Sequence, residues 1–288
     1  MTDLQNHFLY MAAATFVAYR ALMIGETPVA CIFVDNRTGK IVSYGCNNTN
    51  ESLNGTRHAE FEAIDKIMKK ENLLGADAGV CASHFANLTV YVTIEPCVMC
   101  ALALKQIGIK KVYFGAANER FGGNGTTIKA QGESYDSIGG IMRIEAIHLL
   151  RSFYIQENES APTPKVKKNK EIHGKEFPPN LDFPLYISAE TFKTEFGEER
   201  YEIFYGAQAL EQEISPKIHL GYSFVDVCSK DILLELPSLD QLYLNKVINV
   251  DEDILAMAEL LPRVDDQGMP YFYSLSDTKK RKIDSSAL

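Results

Sequence analysis

The feature that most constrains this chain is a set of three metal-binding side chains split between two places in the sequence. His58 stands in His58-Ala59-Glu60, and Cys97 and Cys100 stand in Pro96-Cys97-Val98-Met99-Cys100. A fold that uses all three has to carry both segments to a single ion. One imidazole and two thiolates give zinc three protein ligands and leave a fourth position for water. Residues 88–94 give the strongest strand signal in the chain and run into Pro96. A helix is predicted from there to residue 107. Both cysteines then lie on its first turn, where unpaired N–H groups and the helix dipole favour thiolate. A second helix is predicted to begin near His58. Glu60, in the same turn, is placed to move protons without binding the metal.

Two blander readings compete. Cys97 and Cys100 alone could form a redox dithiol, although here the proline precedes the pair and does not separate it. Cys81 and His84 together with Cys97 and Cys100 make a Cys3His set with the spacing of a structural zinc site, which leaves His58 and Glu60 without a role. The remaining histidines, His7, His148, His173 and His219, read as surface or packing residues.

Along the chain, residues 4–24 carry a broad apolar stripe at helical spacing, stopped by Gly25. Residues 29–34 and 41–44 read as a hairpin across a turn at residues 36–39. Residues 47–56 form a polar loop, and residues 71–87 lack clear periodicity. A strand is predicted over 111–115, a glycine-rich loop over 116–140 and a helix over 141–156. Strands alternating with helices imply an α/β fold, and a hairpin followed by helix-linked strands implies a mixed sheet. After residue 157 the character changes. Residues 161–170 are proline-bearing and basic, and residues 177–273 hold aromatic and aliphatic clusters without an assignable fold.

The formal net charge is -9, which weighs against a nucleic-acid partner until its distribution is considered. Residues 176–277 carry 20 acidic and 6 basic side chains, whereas residues 161–175 carry 5 basic and 1 acidic. Local basic segments can hold phosphates over about a Debye length, roughly 8–10 Å, whatever the total charge. No apolar run is long enough to span a bilayer, so no membrane partner is expected. The N-terminus lacks the basic region of a secretory signal, and six sparse cysteines fit a reducing compartment. The expected location is the cytoplasm and nucleus.

The pairing of His-x-Glu with Pro-Cys-x-x-Cys resembles the signature of zinc-dependent nucleobase deaminases, the cytidine deaminase-like superfamily. Thr27-Pro28-Val29-Ala30, Gly45-Cys46-Asn47, the run from Thr93 to Cys100, and Asn118-Glu119-Arg120-Phe121-Gly122-Gly123-Asn124-Gly125 are similar to tRNA adenosine deaminases. The last motif, with Phe153-Tyr154-Ile155-Gln156-Glu157-Asn158 and the lysine-rich arm, resembles the catalytic subunit of the eukaryotic, fungal-type enzyme. The likeness covers about residues 5–170; residues 177–204 look like a fungal extension. It departs at Ala116 and Asn124, where cysteines are expected in many relatives.

The resemblance implies a three-layer α/β/α fold with a mixed central sheet over residues 1–160; charge composition adds a basic arm over 161–175 and an acidic C-terminal extension over 176–288 that ends in a basic tail. The resemblance also implies hydrolytic deamination of adenosine to inosine at the wobble position of tRNA anticodons. The active subunit would pair with a related one that lacks the catalytic glutamate. Carried over by position, His58, Cys97 and Cys100 would hold Zn2+, and Glu60 would be the general acid/base. Asn47 and the Ala59 backbone would read the base, with Val29 packing beside it. Lys165, Lys167, Lys168 and Lys170 would contact tRNA phosphates, against the alternative of a solvated linker. Lys279, Lys280, Arg281 and Lys282 read as a charged tail, an import signal or a second phosphate contact. Two other functions stay open: deamination of free cytosine, deoxycytidylate or guanine, and a non-catalytic zinc-stabilised adaptor.

Overall fold

The strand with the clearest two-residue alternation sorts the molecule into layers. In β1 (Ala30–Asp35), Ala30, Ile32 and Val34 enter one buried cluster and Cys31 and Phe33 enter another, so both faces of the sheet are covered. The computed structural model describes residues 3–156, 172, 174–206, 211–216, 221–243 and 248–272. The arm lysines, Lys165, Lys167, Lys168 and Lys170, and the 279–282 basic run lie outside the described residues.

β1 pairs antiparallel with β2 (Ile41–Cys46) and with β3 (Leu88–Ile94). β3 pairs parallel with β4 (Lys111–Ala116), and β4 with β5 (Asp136–Ile138). The order β2-β1-β3-β4-β5 is the mixed sheet expected. Helices α2 (Ala59–Lys70), α3 (Ala78–Phe85) and α4 (Val98–Gln106) bury Ile64, Phe85 and Leu104 against one face. Helices α1 (Asp3–Met23) and α5 (Arg143–Ile155) cover the other. The result is the three-layer α/β/α arrangement.

Two elements within the sheet region escaped the sequence pattern. The aperiodic 71–87 segment contains α3, a short helix capped by Asp77 that fully buries only Phe85. One buried side chain leaves no period to read. The glycine-rich loop contains β5, three residues long and anchored by its parallel pairing with β4.

The C-terminal extension, for which no fold could be read, forms helices α6 (Ala189–Phe196), α7 (Glu198–Phe204), α8 (Phe224–Val227), α9 (Lys230–Leu234) and α10 (Val250–Leu260). Phe183, Phe192, Phe196, Phe224, Leu233 and Met257 join the same buried cluster as Phe8, Met11 and Phe16 of α1. Residues 11–19 of α1 are consequently buried on every side of the helix. Arg20 fixes α1 to α10 through Asp253, at 3.1 Å, and lies over the Tyr243 ring.

Candidate metal centre and active site

Both candidate ligand segments sit where a helix begins. His58 is the N-cap of α2 and Cys97 the N-cap of α4, each with extended backbone, so their side chains leave the helix ends. Gly45 lets α2 lie flush on β2. A Cβ there would stand 2.0 Å from the Ala59 carbonyl oxygen and 2.8 Å from the Ala63 nitrogen. Ser43 donates to the Ala63 carbonyl at 3.0 Å, which fixes the same contact. On the loop side, Arg57 holds Glu62 at 2.6 Å and Asp65 at 2.8 Å. These contacts settle where His58 and Glu60 stand.

His58 Nδ1 lies 3.5 Å from Cys97 Sγ and 3.5 Å from Cys100 Sγ. Tetrahedral zinc, with bonds of about 2.3 Å to sulfur and about 2.0 Å to nitrogen, holds such ligand atoms about 3.5 Å apart. The three residues form the one group of this kind found among the described residues, and the donor set fits zinc in number, softness and spacing. Cys81 does not join it; its thiol points to the Leu73 carbonyl oxygen. The alternative Cys3His site is thereby set aside.

Protons in this cluster are unevenly shared. A hydrogen bond from Cys100, opposed by burial and assisted by His58, holds the Cys97 thiol down to about 4. Donation to Cys97 and burial push Cys100 far up, and the bond to Cys97 raises His58. A bound cation displaces such protons, so metal uptake releases them. Glu60 is buried beside the cluster. Burial, the largest influence, raises it above the ordinary carboxylate range.

Asn47 is buried at the end of the hairpin, and its Oδ1 accepts the Ala59 N–H at 2.9 Å. That bond ties the two residues expected to read the base to each other, and it occupies the Ala59 amide. Val29 is half-buried one residue before β1, and its carbonyl accepts the Asn47 N–H at 3.0 Å. All three therefore border the start of α2.

The sequence reading gave no role to two buried glutamates that fasten the walls of this site. Glu26 accepts from the Thr27 and Asn50 N–H groups and from Thr49 Oγ1, holding the loop that follows Asn47. Glu95 accepts from the N–H groups of Asn118 at 3.0 Å, Asn124 at 2.9 Å and Thr126 at 3.1 Å. The signal that could have found them is position. Each is an acidic residue at a junction between a regular element and a loop, next to apolar sequence. Asn124, which departs from the expected cysteine, is also anchored: Nδ2 donates to Ser137 Oγ at 2.7 Å and Oδ1 accepts from Tyr135.

Residues 4–116 match the family described as the cytidine and deoxycytidylate deaminase zinc-binding region. The tRNA-specific adenosine deaminase subunit tad2 of Schizosaccharomyces pombe is 44% identical over 170 residues, covering 57% of this chain and 41% of that protein. The tRNA-specific adenosine deaminase 2 of Danio rerio is 41% identical, covering 56% of this chain and 76% of that one. The Xenopus tropicalis protein of the same name is 40% identical, covering 58% of this chain and 98% of that protein. The fold and metal cluster found here are those of a deaminase domain, and the chain belongs to the tRNA-specific adenosine deaminase 2 family.

Proposed function

We propose that this chain is the active subunit of a zinc-dependent enzyme that hydrolyses adenosine to inosine at the wobble position of tRNA anticodons. The observation that carries the reading is His58 Nδ1 at 3.5 Å from both cysteine sulfurs, with Glu60 buried against them. The names of the matched relatives support the choice of tRNA over a free base.

His58, Cys97 and Cys100 would hold the zinc. When bound, it supplies Lewis acidity that makes a water nucleophilic near neutral pH. Glu60 takes the proton that this water loses and passes it to the purine ring nitrogen. It then takes the proton of the hydroxyl group newly formed at C6 and delivers it to the amine as the C–N bond breaks. Water and adenosine thus yield inosine and ammonia, with Glu60 restored. Asn47, whose Oδ1 is committed to Ala59, offers its Nδ2 hydrogens to the incoming nucleoside. Val29 packs beside the base. The target base leaves the anticodon stack to reach this site, and an already single-stranded loop lowers that cost to a few kcal/mol.

The arm lysines, Lys165, Lys167, Lys168 and Lys170, would add salt-dependent phosphate contacts. The partner would be a related deaminase-like subunit without the glutamate; the fission-yeast relative is itself named a subunit. Six free cysteines accord with a reducing cytoplasmic and nuclear setting.

The test is sequencing of anticodon inosine after incubating tRNA with the chain, alone and with its candidate partner. Inosine at the wobble position is expected, and Glu60→Ala should abolish it while zinc stays near one ion per chain. A phenotype left unchanged by Glu60→Ala would leave the non-catalytic zinc-stabilised adaptor. Ammonia release from free cytosine, deoxycytidylate or guanine, with none from tRNA, would leave the free-base enzyme.

A further inference from the structure

The proton transfers above give no work to the exposed side of the Asn118–Gly125 motif. This loop is fastened directly to the metal-ligand segment. The Val98 N–H donates to the Phe121 carbonyl at 2.9 Å, the Gly123 N–H to the Pro96 carbonyl at 2.8 Å, and Gly122 forms a β-bridge with Cys97. Its inner side is closed. Gly122, Gly123 and Asn124 are buried, and a Cβ on Gly122 would stand 2.5 Å from the Glu95 carboxylate. Its outer side does the opposite. Phe121 is 64% exposed and Ile128 51% exposed, flanked by exposed Glu119 and Arg120 and by Lys129, which pairs with Glu133 at 3.0 Å. The Ile128 N–H donates to the Gly122 carbonyl at 3.1 Å, so the two strands of the loop lie side by side.

A phenyl ring left in water forgoes the stabilisation of burial, and a loop pinned on its inner side cannot fold over to cover it. An exposed aromatic ring beside cationic side chains, on a rigid support at the edge of a nucleobase site, is the chemistry that grips unpaired RNA. The ring stacks on a base face, and arginine meets phosphate or adds a second plane. We propose that this rim, centred on Phe121, seats the nucleotide that adjoins the adenosine being deaminated. Phe121 stacks on its base and Arg120 contacts its phosphate. The inference rests on the RNA substrate proposed above and adds to it a recognition surface in this chain's own deaminase domain.

The test uses the zinc-loaded full chain with its partner subunit and an anticodon stem–loop carrying 2-aminopurine next to the target adenosine. Binding should quench the 2-aminopurine fluorescence. Phe121→Ala and Phe121→Leu should lose the quench and raise KM about tenfold or more, as expected for one lost stack. In both, kcat should stay within about twofold and zinc content should not change, and Phe121→Trp should keep both KM and the quench. An active wild type whose KM is unmoved by Phe121→Ala overturns the inference and leaves the proposed function standing. So does restoration by leucine as fully as by tryptophan, or a loss of affinity for the partner subunit in place of RNA. A wild type that neither binds nor deaminates the stem–loop overturns both.

Discussion

Glu95 shows how much of this site depends on side chains that fasten its walls. Its carboxylate is buried and takes three backbone N–H groups from the loop that closes over Cys97. A glutamine in its place keeps the shape but exchanges one acceptor oxygen for a donor that faces N–H groups. Leaving a buried donor unpaired costs about 1–3 kcal/mol. Glu95→Gln should therefore lower stability by that order and speed amide exchange at Asn118, Asn124 and Thr126. Hydrogen exchange of the zinc-loaded protein measures this, and unchanged protection of those three amides would refute the anchoring role. The candidate metal ligands announced themselves by type and spacing. Glu26 and Glu95 did not, because what they hold is mostly loop backbone, and their place at an element–loop junction is a far weaker signal than residue type and spacing.

At the scale of the element, the sheet and its helices were legible because they alternate burial with a regular period. The sequence pattern predicts residues 88–94 and the element is Leu88–Ile94; residues 4–24 become Asp3–Met23. Two elements of the sheet region, α3 and β5, were not legible. β5 is held by β4, and α3 by the packing of its Phe85 with Phe33 of β1, so both depend on contacts beyond their own segments. The packing of α2 on β2 turns on Gly45. Gly45→Ala places a methyl 2.0 Å from a main-chain oxygen, and main chain cannot swing aside as a flexible side chain would. We expect a loss of about 3 kcal/mol in unfolding free energy and a weaker hold on zinc. Chelator competition and denaturant unfolding together check this, and wild-type values in both would contradict it.

For the whole molecule, the acidic extension is tied to the deaminase layers by a buried polar cluster. Glu195 of α6 accepts from Tyr113 at 2.6 Å and from Lys111 at 2.8 Å, and lies 3.3 Å from His7. Burial opposes its ionisation, but the hydrogen bonds of His7, Lys111 and Tyr113 outweigh it and hold the carboxyl at about 2. Because this value lies below the unfolded one of 4.5, the ionised carboxylate stabilises the fold above about pH 4.5. That contribution, at most about 3 kcal/mol, is lost as pH falls from about 4.5 towards 2. Glu195→Gln should therefore be less stable than wild type at neutral pH, with the gap closing as the solution is acidified. Urea unfolding across that range measures the gap, and a constant difference would show that the carboxylate's charge is not what docks α6.

The residue types of His58, Cys97 and Cys100 picked out the candidate metal cluster, and the alternation of strands and helices determined the layered fold, because both follow from local patterns. Only the tertiary structure decided how the extension is used. The run from Met11 to Tyr19 is apolar on all sides, and one stripe of it sufficed to predict a helix. That its outer side is covered by Phe192, Leu233 and Met257 depends on contacts between residues well over a hundred positions apart. Nothing in the local sequence encodes such a pairing, because burial of apolar surface carries no label for the partner that provides it.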